Sequence, residues 1–199
     1  MKFHLKKTAF GILVIASGLF VACNDDGTAE NDGADTSNVA NNSNNNASDT
    51  GTSINSGDRD FVSEVIVSDM AEIRLAQLAQ QKASSAEVKN VAKTLETDHT
   101  ASLNQLKDLA SRKGVTAPAE EDNDAKSRYD DLNKKSGTAF DRDWVEKVMD
   151  KHDKAIKKFE NKSTDNNADA DVKTWAAGMI PKLRTHHDQL MAIQNKLKK

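Results

Sequence analysis

Residues 84–114 read "SSAEVKNVAKTLETDHTASLNQLKDLASRKG". Advancing each residue by about 100° puts Val88, Ala92, Leu95, Ser102, Leu106 and Ala110 on one stripe, the pattern of an amphipathic helix. Ser84-Ser85-Ala86-Glu87 has the form of a capping box at its start, and Gly114 after Lys113 that of a C-terminal cap. His99 stands at the centre of the apolar stripe. Three residues earlier, Glu96 completes an E-x-x-H, the spacing with which di-iron bundles present two ligands from one helix. Glu96 and Asp98 lie on opposite flanks of the stripe. Glu96 reads as a flank residue, and Asp98-His99 is the better unit.

The same period recurs on both sides of this helix. From about Asp58 to Ala83, Phe61, Val65, Ala76 and Ala79 share a face, with Glu72 inside it. From about Ala139 to Asn161, with Thr138 as N-cap, the face is Val145, Val148, Ile156 and Phe159, and His152 sits among them. Asp141 lies on that face close to the helix start, where capping and dipole chemistry account for an acid. From near Asp169 to Lys199, Val172, Trp175, Met179, Leu183, Leu190, Ile193 and Leu197 face inward together with His186. His187 is turned to the edge, and Gly178 with Pro181 predicts a kink. Between the second and third long helices, "VTAPAEEDND" (115–124) and a short helix over 125–136 give enough chain to cross a bundle from end to end. The pattern predicts an all-α four-helix bundle with a crossover connection that carries a short helix.

One polar residue per long helix therefore faces inward: Glu72, His99, His152 and His186. A lone inward histidine is an ordinary core residue with a hydrogen-bond partner. Four such residues on four helices each need a partner, and the nearest partners are one another. If the crossover returns the chain to its starting end, the second and third long helices run parallel. His99 and His152 then fall at one level, with Glu72 about one turn away. On the same count His186 falls lower, near Asp141. Two pairings are expected, His99 with His152 or Glu72 and His186 with Asp141, in place of one four-ligand site.

The chain begins with a basic "MKFHLKK" and the apolar run "AFGILVIASGLFVA", which ends in small residues before Cys23. This is the pattern of a signal peptide over residues 1–22. The cysteine directly after "LFVA" resembles a lipobox, with Cys23 as the acylated residue. No other cysteine exists, so no intramolecular disulfide can form. Removing residues 1–22 takes away three lysines and no acids, which moves the net charge from −3 to −6. That balance, with lysines dispersed among acids, gives no support to nucleic-acid binding. Residues 24–57, including "NNSNNNASD" (41–49), offer almost nothing to bury and read as a disordered tether. The acids in "CNDDG" resemble export signals of surface lipoproteins. The expected location is the outer membrane, on its periplasmic or its outward face, with the folded domain over residues 58–199.

Three stretches carry a family resemblance: "FVSEVIVSDMAEIRLAQLAQQKASSAEVKNVAKTLETDH" (61–99), "SGTAFDRDWVEKVMDKHDKAIKKFE" (136–160) and "IPKLRTHHDQL" (180–190). They resemble the bacterial domain-of-unknown-function family numbered 4142, over roughly residues 58–196. The resemblance implies an exported protein of the cell envelope with a ferritin-like fold. It places the family's polar positions on Glu72, Asp98-His99, Asp141, His152 and His186. It implies no reaction. A di-iron site needs a second E-x-x-H, but Met149 and Leu183 stand three residues before His152 and His186.

Two functional readings follow from the residues. The first is a non-enzymatic envelope lipoprotein, anchored to the membrane through Cys23 and serving a binding or stress-related role. Its inner histidines and acids would form a hydrogen-bonded network without a cofactor, and its protein or small-molecule partner is unspecified. The alternative is a metal-binding bundle using His99, His152 and Glu72 to hold zinc, iron or manganese. A nucleophilic enzyme has no support, since no serine or cysteine is placed with a base and an orienting acid.

Overall fold

The structure, a computed structural model, describes residues 54–198. The expected signal segment, Cys23 and all of the tether but its last four residues lie outside them. Five helices follow in order: α1 (Ser56–Lys82), α2 (Ala86–Arg112), α3 (Asn123–Asn133), α4 (Gly137–Thr164) and α5 (Ala170–Leu197). There is no strand among the described residues.

The caps show why the helices start where they do. Asn55 accepts from the backbone N–H of Asp58, Ser85 from Val88, and Asp122 from Ala125. Asp169 accepts from both Asp171 and Val172. Each supplies an acceptor to N–H groups that a first helical turn leaves without one. The folded unit begins ahead of the expected Asp58, since Asn55 caps α1 and Ile54 is buried. The capping-box reading of Ser84 needs correction, because Ser85 is the cap and Glu87 pairs with Lys196. Nor does Thr138 cap the third long helix. α4 starts at Gly137, whose φ of 59° suits the residue between two helices that lacks a Cβ. α5 continues through Pro181 as one helix. Ala177, whose carbonyl Pro181 cannot bond, is exposed, so water can take that carbonyl.

Ion pairs fix the directions of the helices. Lys151–Glu72 and Lys162–Asp58 link α4 to α1 in descending register, and Lys196–Glu87 and Lys182–Asp98 do the same for α5 and α2. The bundle is therefore two antiparallel hairpins, α1–α2 and α4–α5, with α2 and α4 parallel. The crossover that makes this possible runs from Lys113 to Ser136. Its α3 lies along α1, where Arg74 meets Glu121 and stacks 3.8 Å from the centre of the Tyr129 ring. One crossover between two hairpins is the ferritin-like connectivity.

The core has two apolar parts. One holds Leu75, Leu78, Val88, Leu95, Leu132, Phe140, Trp144, Val148 and Leu190. The other holds Phe61, Val62, Ile66, Leu106, Leu109, Phe159, Val172 and Leu183. Every long helix places buried polar residues between these parts: Asp69 and Glu72 on α1, His99 and Ser102 on α2, His152 on α4 and His186 on α5, while Asp58 and Asp141 are buried near the starts of α1 and α4. A polar layer thus divides the core at mid-height.

Candidate metal centre

The polar layer brings three histidines together. Ring centroids of His99, His152 and His186 stand 5.3–5.6 Å apart, and one ring nitrogen from each lies within 4.8 Å of the others. All three residues are buried.

Each ring is held from behind. His99 Nδ1 lies 2.8 Å from Asp69 Oδ1, and the other Asp69 oxygen accepts from Ser102 Oγ at 2.7 Å. His152 Nδ1 lies 2.9 Å from the Val148 carbonyl, one turn back on α4. His186 Nε2 lies 2.9 Å from Asp98 Oδ2, whose other oxygen accepts from Lys182 Nζ at 2.9 Å. Carboxylates and carbonyls only accept, so each outer nitrogen donates and carries the proton. The inner nitrogen of a neutral ring then presents a lone pair. His152 Nε2 and His186 Nδ1 face one another in this way at 3.3 Å. His99 Nε2 is buried with no hydrogen-bond partner.

The electrostatics differ from ring to ring. Burial pushes His152 down to about 4, and burial likewise lowers His186. Both are neutral at physiological pH. Burial would lower His99 too, but Asp69, with Glu72 beyond it, outweighs burial and raises it. His99 is thus the ring that most readily keeps a second proton. Around the three rings stand the carboxylates of Asp69, Glu72 and Asp98 against the ammonium groups of Lys151 and Lys182. The balance favours a cation.

Glu72 belongs to the layer but stands outside the triangle of rings. Burial would raise its carboxyl, yet Lys151, His152 and His99 hold it down at about 2. Lys151 Nζ reaches Glu72 Oε1 at 3.0 Å as an ion pair off the direction of a hydrogen bond, and neither carboxylate oxygen has a hydrogen-bond donor.

One expected partner is elsewhere. Asp141 does not meet His186. It accepts from the backbone N–H groups of Ser84 at 3.0 Å and Ser85 at 2.9 Å, and from the Ser84 hydroxyl. It caps the neighbouring helix α2 instead of its own, eleven residues and about 16 Å of helix from His152. Glu96 is bonded to Gln77 and Gln80, so its E-x-x-H with His99 is incidental. His99 and His152 do share a level, as expected, and His186 joins them where the sequence reading had placed it lower. Asp69, Lys151 and Lys182 escaped the sequence reading. For Asp69 a signal existed, since it stands three residues before Glu72 on the same stripe.

Inward lone pairs from neutral imidazoles suit borderline transition metals. In a tetrahedral site with metal–nitrogen bonds of about 2.0–2.1 Å, adjacent nitrogens stand about 3.3 Å apart. That is the His152–His186 separation. Carboxylate or carbonyl acceptors behind ligating histidines are the usual means of fixing tautomer and ring orientation in metal sites.

The fold and this layer define a class: a four-helix bundle with a buried trihistidine cluster at mid-height. The chain belongs to the family described as Domain of unknown function (DUF4142), whose sequence profile matches residues 43–193. No curated protein matches it, and no solved structure does.

Proposed function

We propose that this protein is a metal-binding bundle that holds one divalent transition-metal ion on His99 Nε2, His152 Nε2 and His186 Nδ1. One observation carries the reading: every ring has its outer nitrogen engaged by an acceptor and its inner nitrogen turned towards the other two. A network built for stability alone would pair the inner nitrogens with donors, because a buried acceptor without one costs about 1–3 kcal/mol. The test is equilibrium dialysis of the purified protein against zinc, followed by elemental analysis. One zinc per chain is expected, lost in His99→Ala and in His152→Ala. Protein that retains no metal after dialysis overturns the reading.

The same proposal keeps the domain in the cell envelope, tethered by acylated Cys23, as the first reading had it. Among the described residues no helix is long and apolar enough to cross a membrane. In this reading the acyl chains on Cys23 supply the attachment. Cys23→Ser is expected to move the protein out of the membrane fraction. A variant that stays with membranes after a salt wash refutes the anchor.

A further inference from the structure

We infer that Glu72 is the fourth ligand of this centre, exchanging its ion pair with Lys151 for the metal, and that the centre is a closed N3O site. The inference rests on the trihistidine reading.

Glu72 is 3% exposed, and neither of its oxygens has a hydrogen-bond donor. A buried carboxylate in that condition is costly unless a cation sits close by. Its counter-charge is Lys151 at 3.0 Å. The two partners are unequal. The Lys151 side chain is 21% exposed and has a flexible stem, so it can withdraw its ammonium into water. Glu72 has no comparable route. It sits one helical turn after Asp69, the residue that holds His99, and Lys151 directly precedes His152. Glu72, His99 and His152 are among the buried polar residues between the two apolar parts of the core, and the Lys151 that reaches Glu72 is the chain neighbour of His152. A metal on the three inner nitrogens would share this buried layer with a carboxylate whose two oxygens no donor holds, so releasing Lys151 leaves Glu72 free to turn to it.

The fourth ligand decides what the centre can do. Three histidines alone leave a position for water, the arrangement of catalytic zinc, whereas four protein ligands close the shell. With Glu72 bound, the centre retains or hands on a metal and does not activate water. Three imidazoles and one carboxylate in four-coordinate geometry fit zinc, and cobalt(II) is its spectroscopic stand-in.

The test is a cobalt(II) titration followed by visible absorption, with zinc competition for affinity. The native protein should give the intense visible bands of four-coordinate cobalt. Glu72→Gln, which keeps the volume, should lose affinity by at least roughly 10–100-fold and shift those bands. Lys151→Met removes the competing cation and should tighten binding by roughly tenfold, about 1.4 kcal/mol. Glu72→Gln with native affinity and spectrum overturns the inference while leaving the trihistidine site standing. Native protein that binds no cobalt, or His152→Ala that binds as well as native, overturns both. Should Glu72→Gln fail to fold, Lys151→Met decides, and unchanged affinity there overturns the inference.

Discussion

His152 Nε2 and His186 Nδ1 confront each other at 3.3 Å across the bundle axis, while Val148 and Asp98 hold the far side of each ring. Two acceptors so placed repel unless a proton or a metal lies between them. The relationship sets function against stability, because a well-packed apolar layer at this height would stabilise the bundle more. That trade-off can be measured.

Replacing His152 with leucine strands no buried group. The Val148 carbonyl keeps its backbone bond from residue 152, and His186 keeps Asp98. His152→Leu should therefore unfold within about 1 kcal/mol of the native protein in metal-free denaturant melts. The rise in melting temperature on adding zinc, which mass action gives to a ligand that binds only the folded state, should vanish. A loss of several kcal/mol without metal would show that the ring is there for structure.

Asp141 offers the opposite case. Its carboxylate serves the first N–H groups of α2, far from the rings. Asp141→Ala should cost about 1–2 kcal/mol, as loss of a helix cap does, and leave zinc affinity unchanged. Titration calorimetry beside a urea melt checks both halves, and weakened zinc binding would mean that the cap and the rings are coupled.

The fold was legible because each long helix carries its own stripe and stop signals. The common level of His99 and His152 was legible too, since parallel helices make depth a count from the start. They stand 13 and 15 residues into α2 and α4. His186 was misplaced by a boundary. With helix three ending at Asn161, its offset from His152 comes to about 12 Å. α4 runs on to Thr164 and α5 starts at Ala170, which halves the offset to about 6 Å. Asp141 was misassigned for another reason: a carboxylate near a helix start can cap a neighbouring helix, and periodicity along one helix cannot register that. Asp69 shares its stripe with Glu72, but neither acid shows in the sequence which residue it meets. For Asp69 the partners, His99 and Ser102, are 30 or more residues away.

At the far end of the bundle, Asp169 caps α5 and pairs with Lys113 at 2.9 Å. Burial would raise its carboxyl, but Lys113 and the N–H groups of Val172 and Asp171 outweigh burial and lower it. A depressed folded value means that the unfolded chain binds the proton more readily. The stabilisation is therefore present above the ordinary carboxylate range, near pH 4, and is lost as pH falls through the folded value. Asp169→Asn keeps a cap acceptor but loses the charge facing Lys113, so it should lower stability by about 1 kcal/mol or less at pH 7 and make the decline below about pH 4 shallower. Urea melts at the two pH values test this, and an unchanged acid slope would refute the assignment.

The two carboxylates behind the rings should separate orientation from stability. Asp69 is buried and serves both His99 and Ser102, so Asp69→Ala leaves two buried donors without an acceptor. That should cost about 2–4 kcal/mol in metal-free melts. Asp98 is more open to solvent, with its side chain 27% exposed, and water can replace it on His186 and Lys182. Asp98→Ala should therefore cost about 1 kcal/mol or less. Zinc affinity should nevertheless fall in both variants by roughly 10–100-fold, because each loses the acceptor that orients a ligating ring. Parallel denaturant melts and zinc competition titrations give the two numbers for each variant. If affinity merely tracks stability, with Asp98→Ala binding zinc like the native protein, then Asp98 is a surface partner of Lys182 and does not orient His186.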